Sequence, residues 1–201
     1  MKVLEILKRI PIDFGQGNLR KYTKGKLIAL SLVPNVKNKI ALDVGCGEGE
    51  QTKWLENKGY RVVSIDKYKF YPQCQLVDID QGLPFNDNTF DLIWCSEVIE
   101  HLINPQNAIK EFLRVTRPDG VLILTTPNSY FWLMEILYLF GLKPKKIQNP
   151  GHKHFFRLKD IKQLFPKAKI FGFFPYCLFK FKITHMIGLL SPTFIIFHIK
   201  K

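Results

Sequence analysis

The run Asp43-Val44-Gly45-Cys46-Gly47-Glu48-Gly49 sets three glycines at alternate positions directly after an apolar stretch, with acids at 43 and 48. Glycine lacks a Cβ, so a turn of this kind lets a ligand lie against the backbone. A dinucleotide-binding loop would need its third glycine at position 50, where Glu50 stands. The two acids suit a ligand that carries an ammonium group and no phosphate. A second cluster, Glu97-Val98-Ile99-Glu100-His101, joins two carboxylates to an imidazole. On a helix, offsets of three and four would put Glu97, Glu100 and His101 on one face. Three kinds of chemistry are open to them. Glu97 could touch a ligand while Glu100 and His101 pack and cap the next helix. Glu97 or His101 could serve as a general base. The trio could also ligate a divalent cation. Further along, Gly151-His152-Lys153-His154-Phe155-Phe156 supplies more imidazoles.

The elements that must position these groups follow from the apolar pattern. Lys39 to Val44 reads as a strand that ends at the glycine turn, and Gln51 to Lys58 as a helix leaving it. Val62-Val63-Ser64-Ile65 is a second strand ending in Asp66, an acid 21 residues after Gly45. That is where a ribose-binding carboxylate belongs in an open α/β sheet. Phe90 to Glu97 reads as the fourth strand, Pro105 to Val115 as a helix, Val121 to Thr126 as the fifth strand and Thr193 to Ile199 as the last. Alternation of this kind predicts an α/β sandwich around a mostly parallel sheet. Between Asp66 and Gln75 there is space only for Lys67 to Cys74, with Pro72 inside, so a loop is expected in place of a helix.

The D-x-G-x-G-x-G turn resembles motif I of the class I S-adenosylmethionine (SAM)-dependent methyltransferases. Asp78-Ile79-Asp80-Gln81-Gly82-Leu83-Pro84-Phe85, followed by Asn88-Thr89-Phe90-Asp91, is similar to the family's D-x-x-x-x-L-P-F and S-F-D signatures. Arg114 to Gly120 stands where the family shows R-V-L-K-P-G-G. The motifs run in order from Lys39 to Asn128, closest to the type 11 and type 23 groups and to ubiquinone-pathway methyltransferases. The resemblance implies a Rossmann-like three-layer sandwich, with a seven-stranded mostly parallel sheet and an antiparallel last strand. It implies SAM as the cofactor, held by Asp43, Gly45, Cys46, Gly47, Gly49, Asp66, Lys67, Asp78, Ile79 and Cys95. Glu97, His101 and His154 are the expected catalytic, substrate-side residues. No metal is expected, and Glu97, Glu100, His101 and His154 form the lesser candidate set. That set resembles one in ubiquinone-pathway O-methyltransferases and in small-RNA 2′-O-methyltransferases, where a later histidine completes it.

At 201 residues with 46% hydrophobic content the chain suggests one domain: an N-terminal helical segment (1–38), a SAM-binding core (39–128) and a substrate-side lid with the last strands (129–201). Met1 to Arg9 has no long hydrophobic run, so no leader is expected and the location is read as cytoplasmic, with a peripheral membrane association as the extension. Cys46, Cys74, Cys95 and Cys177 are scattered and form no zinc motif. Residues 143–201 carry 13 Lys or Arg against one acid, Asp160, and hold nearly all of the net charge of +13. A one-sided field of that sign attracts an anionic partner, unless it reflects composition bias. Tyr130 to Leu142 is apolar almost all round, too short to span a bilayer, and Phe171, Phe173, Phe174, Phe179 and Phe181 follow among lysines. These phenylalanines and that helix are either core or an apolar mouth ringed by lysines. The expected function is methyl transfer to an oxygen or nitrogen of a small-molecule, quinone-like or glycan/lipid-linked acceptor. RNA is the second partner reading. A non-catalytic SAM-binding protein is the alternative from another class.

Overall fold

Aliphatic residues dominate Lys39–Val44 (β1), which is buried along its second half on both faces, as a central parallel strand must be. A computed structural model describes residues 23–175 and 181–201. The 1–22 part of the N-terminal segment, Cys177 and Phe179 lie outside the described residues. Before β1 comes a helix, Lys24–Ser31 (α1), started by the Thr23 hydroxyl, which accepts from the Lys26 amide. After β1 follow Glu50–Asn57 (α2), Tyr60–Asp66 (β2), Gln75–Leu76 (β3), Phe90–Ser96 (β4), Pro105–Val115 (α3) and Thr116–Pro127 (β5). The chain continues through Trp132–Leu139 (α4), Pro144–Ile147 (α5), Leu158–Leu164 (α6), Lys169–Phe173 (β6), Lys182–Ile183 (β7), Ile187–Leu190 (α7) and Thr193–Ile199 (β8).

The strands lie in the order β3-β2-β1-β4-β5-β8-β6-β7. From β3 to β5 all pairings are parallel, while β8 runs antiparallel to both β5 and β6. Among the described residues eight strands stand where seven were expected. The extra one is β7, a two-residue antiparallel addition to β6, too short to carry a hydrophobic period. Alternate side chains of the sheet feed two separate cores. Leu42, Val44, Ile93, Cys95, Leu122 and Leu124 pack against α3, α6 and α7 on one face. Ala41, Leu92, Trp94, Ile123 and Ile195 pack against α1 and α2 on the other. This is the three-layer sandwich implied by the resemblance, with the strand order reversing at β1 and β4. In open sheets that reversal opens a crevice at the carboxyl ends of the strands.

Two local expectations need correction. Glu97 to His101 is not an α-helix: only Ile99–His101 forms a turn, of 3-10 type, and Glu97 has a left-handed backbone (φ 59°). The apolar helix is also shorter than Tyr130 to Leu142. It ends at Leu139, and Gly141 (φ 75°) provides the left-handed residue that helix ends favour before Pro144 opens α5. The 67–74 loop is present as expected, with no helix between β2 and β3.

Candidate active site

At the reversal point a cleft of about 470 Å³ is lined by Gly45, Asp66, Lys67, Asp78, Ile79, Glu97, Val98, His101, Gly151 and Lys153, among others. Gly45, at the start of the glycine turn, forms part of one wall. A Cβ on Gly45 would lie 2.3 Å from Val98 Cγ2, and the residue's φ is +72°. Glycine at 45 is therefore what lets the turn after β1 and the turn after β4 touch. Gly47 (φ +51°) has nothing within 4 Å of its would-be Cβ, and its amide donates to Asp66 Oδ2 at 3.0 Å. Gly49 (φ +80°) abuts the Tyr71 ring instead. Asp66 also accepts from the Tyr68 amide, which pins the carboxylate at the tip of β2. Across the cleft, Lys67 Nζ is 2.9 Å from Asp78 Oδ2, and the pair is largely exposed.

Below this turn lies Asp43, fully buried in β1. The Thr52 hydroxyl donates to its Oδ2 at 2.6 Å, while Oδ1 has no hydrogen-bond partner among the described residues. Burial, with only partial relief from Thr52, pushes its carboxyl up to about 7. Asp43 does not itself line the cleft; its orphaned oxygen under the glycine turn, with the carboxylates of Asp66, Asp78, Asp80 and Glu97 along the cleft, fits a cationic, ribose-bearing ligand such as SAM. Cys46 turns away to pack with Tyr71 and Cys74. Cys95 is buried in the main core, opposite Val44 and Leu124, and does not line the cleft.

On the other wall Glu97 closes β4. Its amide donates to Thr125 O, and the Thr125 hydroxyl donates to its Oε1 at 3.2 Å. Glu100 points inward and is buried. The Thr126 hydroxyl donates to Oε2 at 3.0 Å, and among the described residues Oε1 has no hydrogen-bond partner. Desolvation, then the charge of Glu97, raises its carboxyl well above the ordinary range. His101 faces the cleft and its Nδ1 sits 3.0 Å from Gly151 O. A carbonyl can only accept, so Nδ1 carries the hydrogen and Nε2 is the basic nitrogen. Burial holds this imidazole below its ordinary value, hence neutral near pH 7.

The structure brings a different histidine to this cluster than the one expected. His154 stacks on Phe156 and lines a separate outer groove with Ile103, Asn104 and Gln106. His152 is the one that turns inward. Its Nε2 is 3.9 Å from Glu100 Oε1, its ring meets His101 edge-on at 4.7 Å, and its Nδ1 lies 3.3 Å from Gln148 Oε1. Burial pushes it down to about 4. The backbone decides between the two: Lys153 and His154 amides both donate to Glu100 O, a pairing across some 50 residues that spacing does not reveal. Glu100, His101 and His152 offer ligand atoms that all lie within 4.8 Å of one another. Glu97 is not in that set.

Other motif residues hold the scaffold. Arg114 binds Glu111 and Asp87 and donates to the carbonyls of Leu83 and Phe85, clamping the Leu-Pro-Phe segment. Asn128 fastens the end of β5 to α7 by donating to Gly188 O and Ser191 O.

Residues 42–124 match the family described as Methyltransferase domain. A ubiquinone biosynthesis O-methyltransferase from Coxiella burnetii is 32% identical over 131 residues, which cover 55% of this chain and 55% of that protein. One from Rickettsia typhi is 26% identical over 151 residues, covering 64% of this chain and 58% of the relative. The chain thus spans little more than half the length of these curated relatives. A SAM-dependent methyltransferase from Archaeoglobus fulgidus shares the fold, with a TM-score of 0.65 at 18% identity, covering 88% of this chain and 94% of the other.

Proposed function

We propose that this chain, whose residues 42–124 match a methyltransferase domain, uses SAM to transfer a methyl group to a hydroxyl oxygen of a small, quinone-like acceptor. The observation that carries this reading is His101, a neutral imidazole on the wall of the cofactor cleft whose hydrogen-bonded Nδ1 leaves Nε2 as the base. The names of the Coxiella and Rickettsia relatives support the acceptor class.

SAM supplies a methyl group already activated by its sulfonium, so the protein's work is alignment, exclusion of water and removal of one proton. Asp66 and Asp78 would hold the ribose and adenine ends, and the glycine turn with Asp43 beneath it the methionine end. Glu97, fixed by Thr125, would orient the acceptor hydroxyl, and His101 Nε2 would take its proton. The test is label transfer from methyl-labelled SAM into a host lysate, then partition into RNA, protein and solvent-extractable fractions. Extractable label supports the proposal; label confined to protein, or none, defeats it.

A second reading has its own observation. Glu100 keeps an orphaned oxygen beside His152 Nε2, and Gln148 and Gly151 fix both histidines so that Nε2 is the free nitrogen. A carboxylate and two imidazoles fit Zn, Fe or Mn better than Mg. In that case the metal would sit on Glu100, His101 and His152 and act on the acceptor oxygen. This would also open metal-assisted 2′-O-methylation of RNA, where nuclease-sensitive label is the diagnostic. Full activity in excess chelator, after a chelating pretreatment, would remove the metal reading. SAM binding without turnover on any fraction would leave the non-catalytic alternative.

A further inference from the structure

We propose that the tip of the lid formed by α4 and the turn after it is a docking surface for an anionic lipid bilayer. The lid is a small structure of its own. Phe131, Met134 and Ile147 form a buried cluster separate from the two main cores. Having buried Met134 on its inner side, α4 leaves Ile136, Leu139 and Phe140 in water, at 40%, 84% and 78% exposure. Their spacing of three and four residues places them on one stripe. Lone exposed apolar side chains need no explanation, but a stripe of three at helical spacing does.

What adjoins the stripe selects its occupant. Past Gly141 the chain presents Lys143, Lys145 and Lys146, all exposed. The acid on the helix, Glu135, lies 3.1 Å from Arg157, which itself covers the Tyr130 ring. The neighbourhood is therefore apolar at the tip and cationic behind it, and the whole 143–201 segment has one acid, Asp160. Two of the three stripe residues, Ile136 and Leu139, are aliphatic, and the single ring of Phe140 falls short of the succession of aromatic platforms on which single-stranded RNA stacks its bases. Leucine and phenylalanine next to lysines is the pattern of a segment that lies in the headgroup boundary of an anionic membrane. Among the described residues no helix is long and apolar enough to cross a bilayer, so the attachment is to one leaflet and reversible. A surface of this kind would bring the lid to acceptors dissolved in the membrane.

The test is flotation of the purified full chain with vesicles of phosphatidylcholine alone or with 30 mol%, in round terms about a third, phosphatidylglycerol. Flotation needs neither SAM nor turnover, so its outcome is independent of the methyl-transfer reading. Binding is expected to the anionic vesicles at low salt, with at least about a tenfold loss in high salt. The doubly substituted Leu139→Ser/Phe140→Ser chain should lose about tenfold or more in partitioning, and Lys143→Glu/Lys145→Glu/Lys146→Glu should lose a comparable amount. Both variants change exposed side chains only, and an unchanged melting temperature will confirm their folding. Absence of flotation on anionic vesicles overturns the proposal, as does flotation that survives both variants. Dimerisation that the Leu139/Phe140 variant abolishes, without vesicle binding, would give the stripe to a second copy and also overturn it.

Discussion

Replacing Asp43 by Asn tests the electrostatics under the glycine turn. The native carboxyl stands at about 7 against 3.8 for an ordinary aspartate. The group is 0% exposed, so no solvent screening reduces the shift. At about 1.4 kcal/mol per pKa unit this corresponds to roughly 4 kcal/mol. The sign follows from proton counting. The folded state binds the extra proton between pH 4 and pH 7, so stability is highest below that window and falls as pH rises through it. Asn removes the titration and keeps an acceptor for the Thr52 hydroxyl. Its amide NH2 inherits the orphaned position of Oδ1, which costs about 1–3 kcal/mol. The net gain at pH 8 is then about 1–3 kcal/mol, or roughly 2–10 °C in melting temperature for a chain of this size. At pH 5 the gain disappears or reverses. The assay is thermal or urea unfolding of both chains, without ligand, at pH 5, 6, 7 and 8. A difference between variant and native chain that does not grow with pH would refute this account of Asp43.

A cationic ligand over Asp43 should discharge the same proton, so SAM binding at pH 6 is expected to release protons. Calorimetry in buffers of different ionisation enthalpy reads this directly, and Asp43→Asn should abolish it. Gly45→Ala forces a Cβ to 2.3 Å from Val98 Cγ2 at φ +72°, so SAM binding should fall by at least about tenfold, at a stability cost of 1–3 kcal/mol or so. Equilibrium dialysis beside a melting curve separates the two. Lys67→Ala breaks an ion pair with Asp78 at the surface, and its effect on SAM affinity should stay within about fivefold; a larger loss would give Lys67 a direct role. With His101 as the base, the acid limb of kcat should lie below the ordinary imidazole value, because burial disfavours the charged ring. His101→Ala should flatten that limb and lower kcat by about 100-fold or more.

The glycine turn was legible because its constraints are local. Gly45, Gly47 and Gly49 all adopt positive φ, and Asp66 reaches back to Gly47 from the next strand, so residue type and spacing already encode the turn. The antiparallel last strand occupies Thr193–Ile199 as read from its apolar run. The cluster after β4 was less legible because it depends on contacts across the chain. His152 and His154 look alike in sequence, and only the hydrogen bonds from Lys153 and His154 to Glu100 O turn the former inward. Cys95 follows the same rule: its place in β4 points it into the core and away from the cleft. The helical spacing of Glu97, Glu100 and His101 misled because Glu97 takes a left-handed conformation, which breaks the helix before it starts. The lid divides its apolar residues between a buried cluster and a bare stripe, a division that an all-round apolar composition conceals.

The most direct test of the central claim is a defined reaction. The purified chain, SAM and a set of hydroxylated quinol precursors should be incubated at pH 7.5 or thereabouts and followed by mass spectrometry. The account predicts one product heavier by a single methylene, methylated on oxygen, with equimolar S-adenosylhomocysteine, and its loss in His101→Ala with SAM binding retained. Tight SAM binding with no methylated product from any hydroxylated acceptor, or undiminished turnover in His101→Ala, would contradict it.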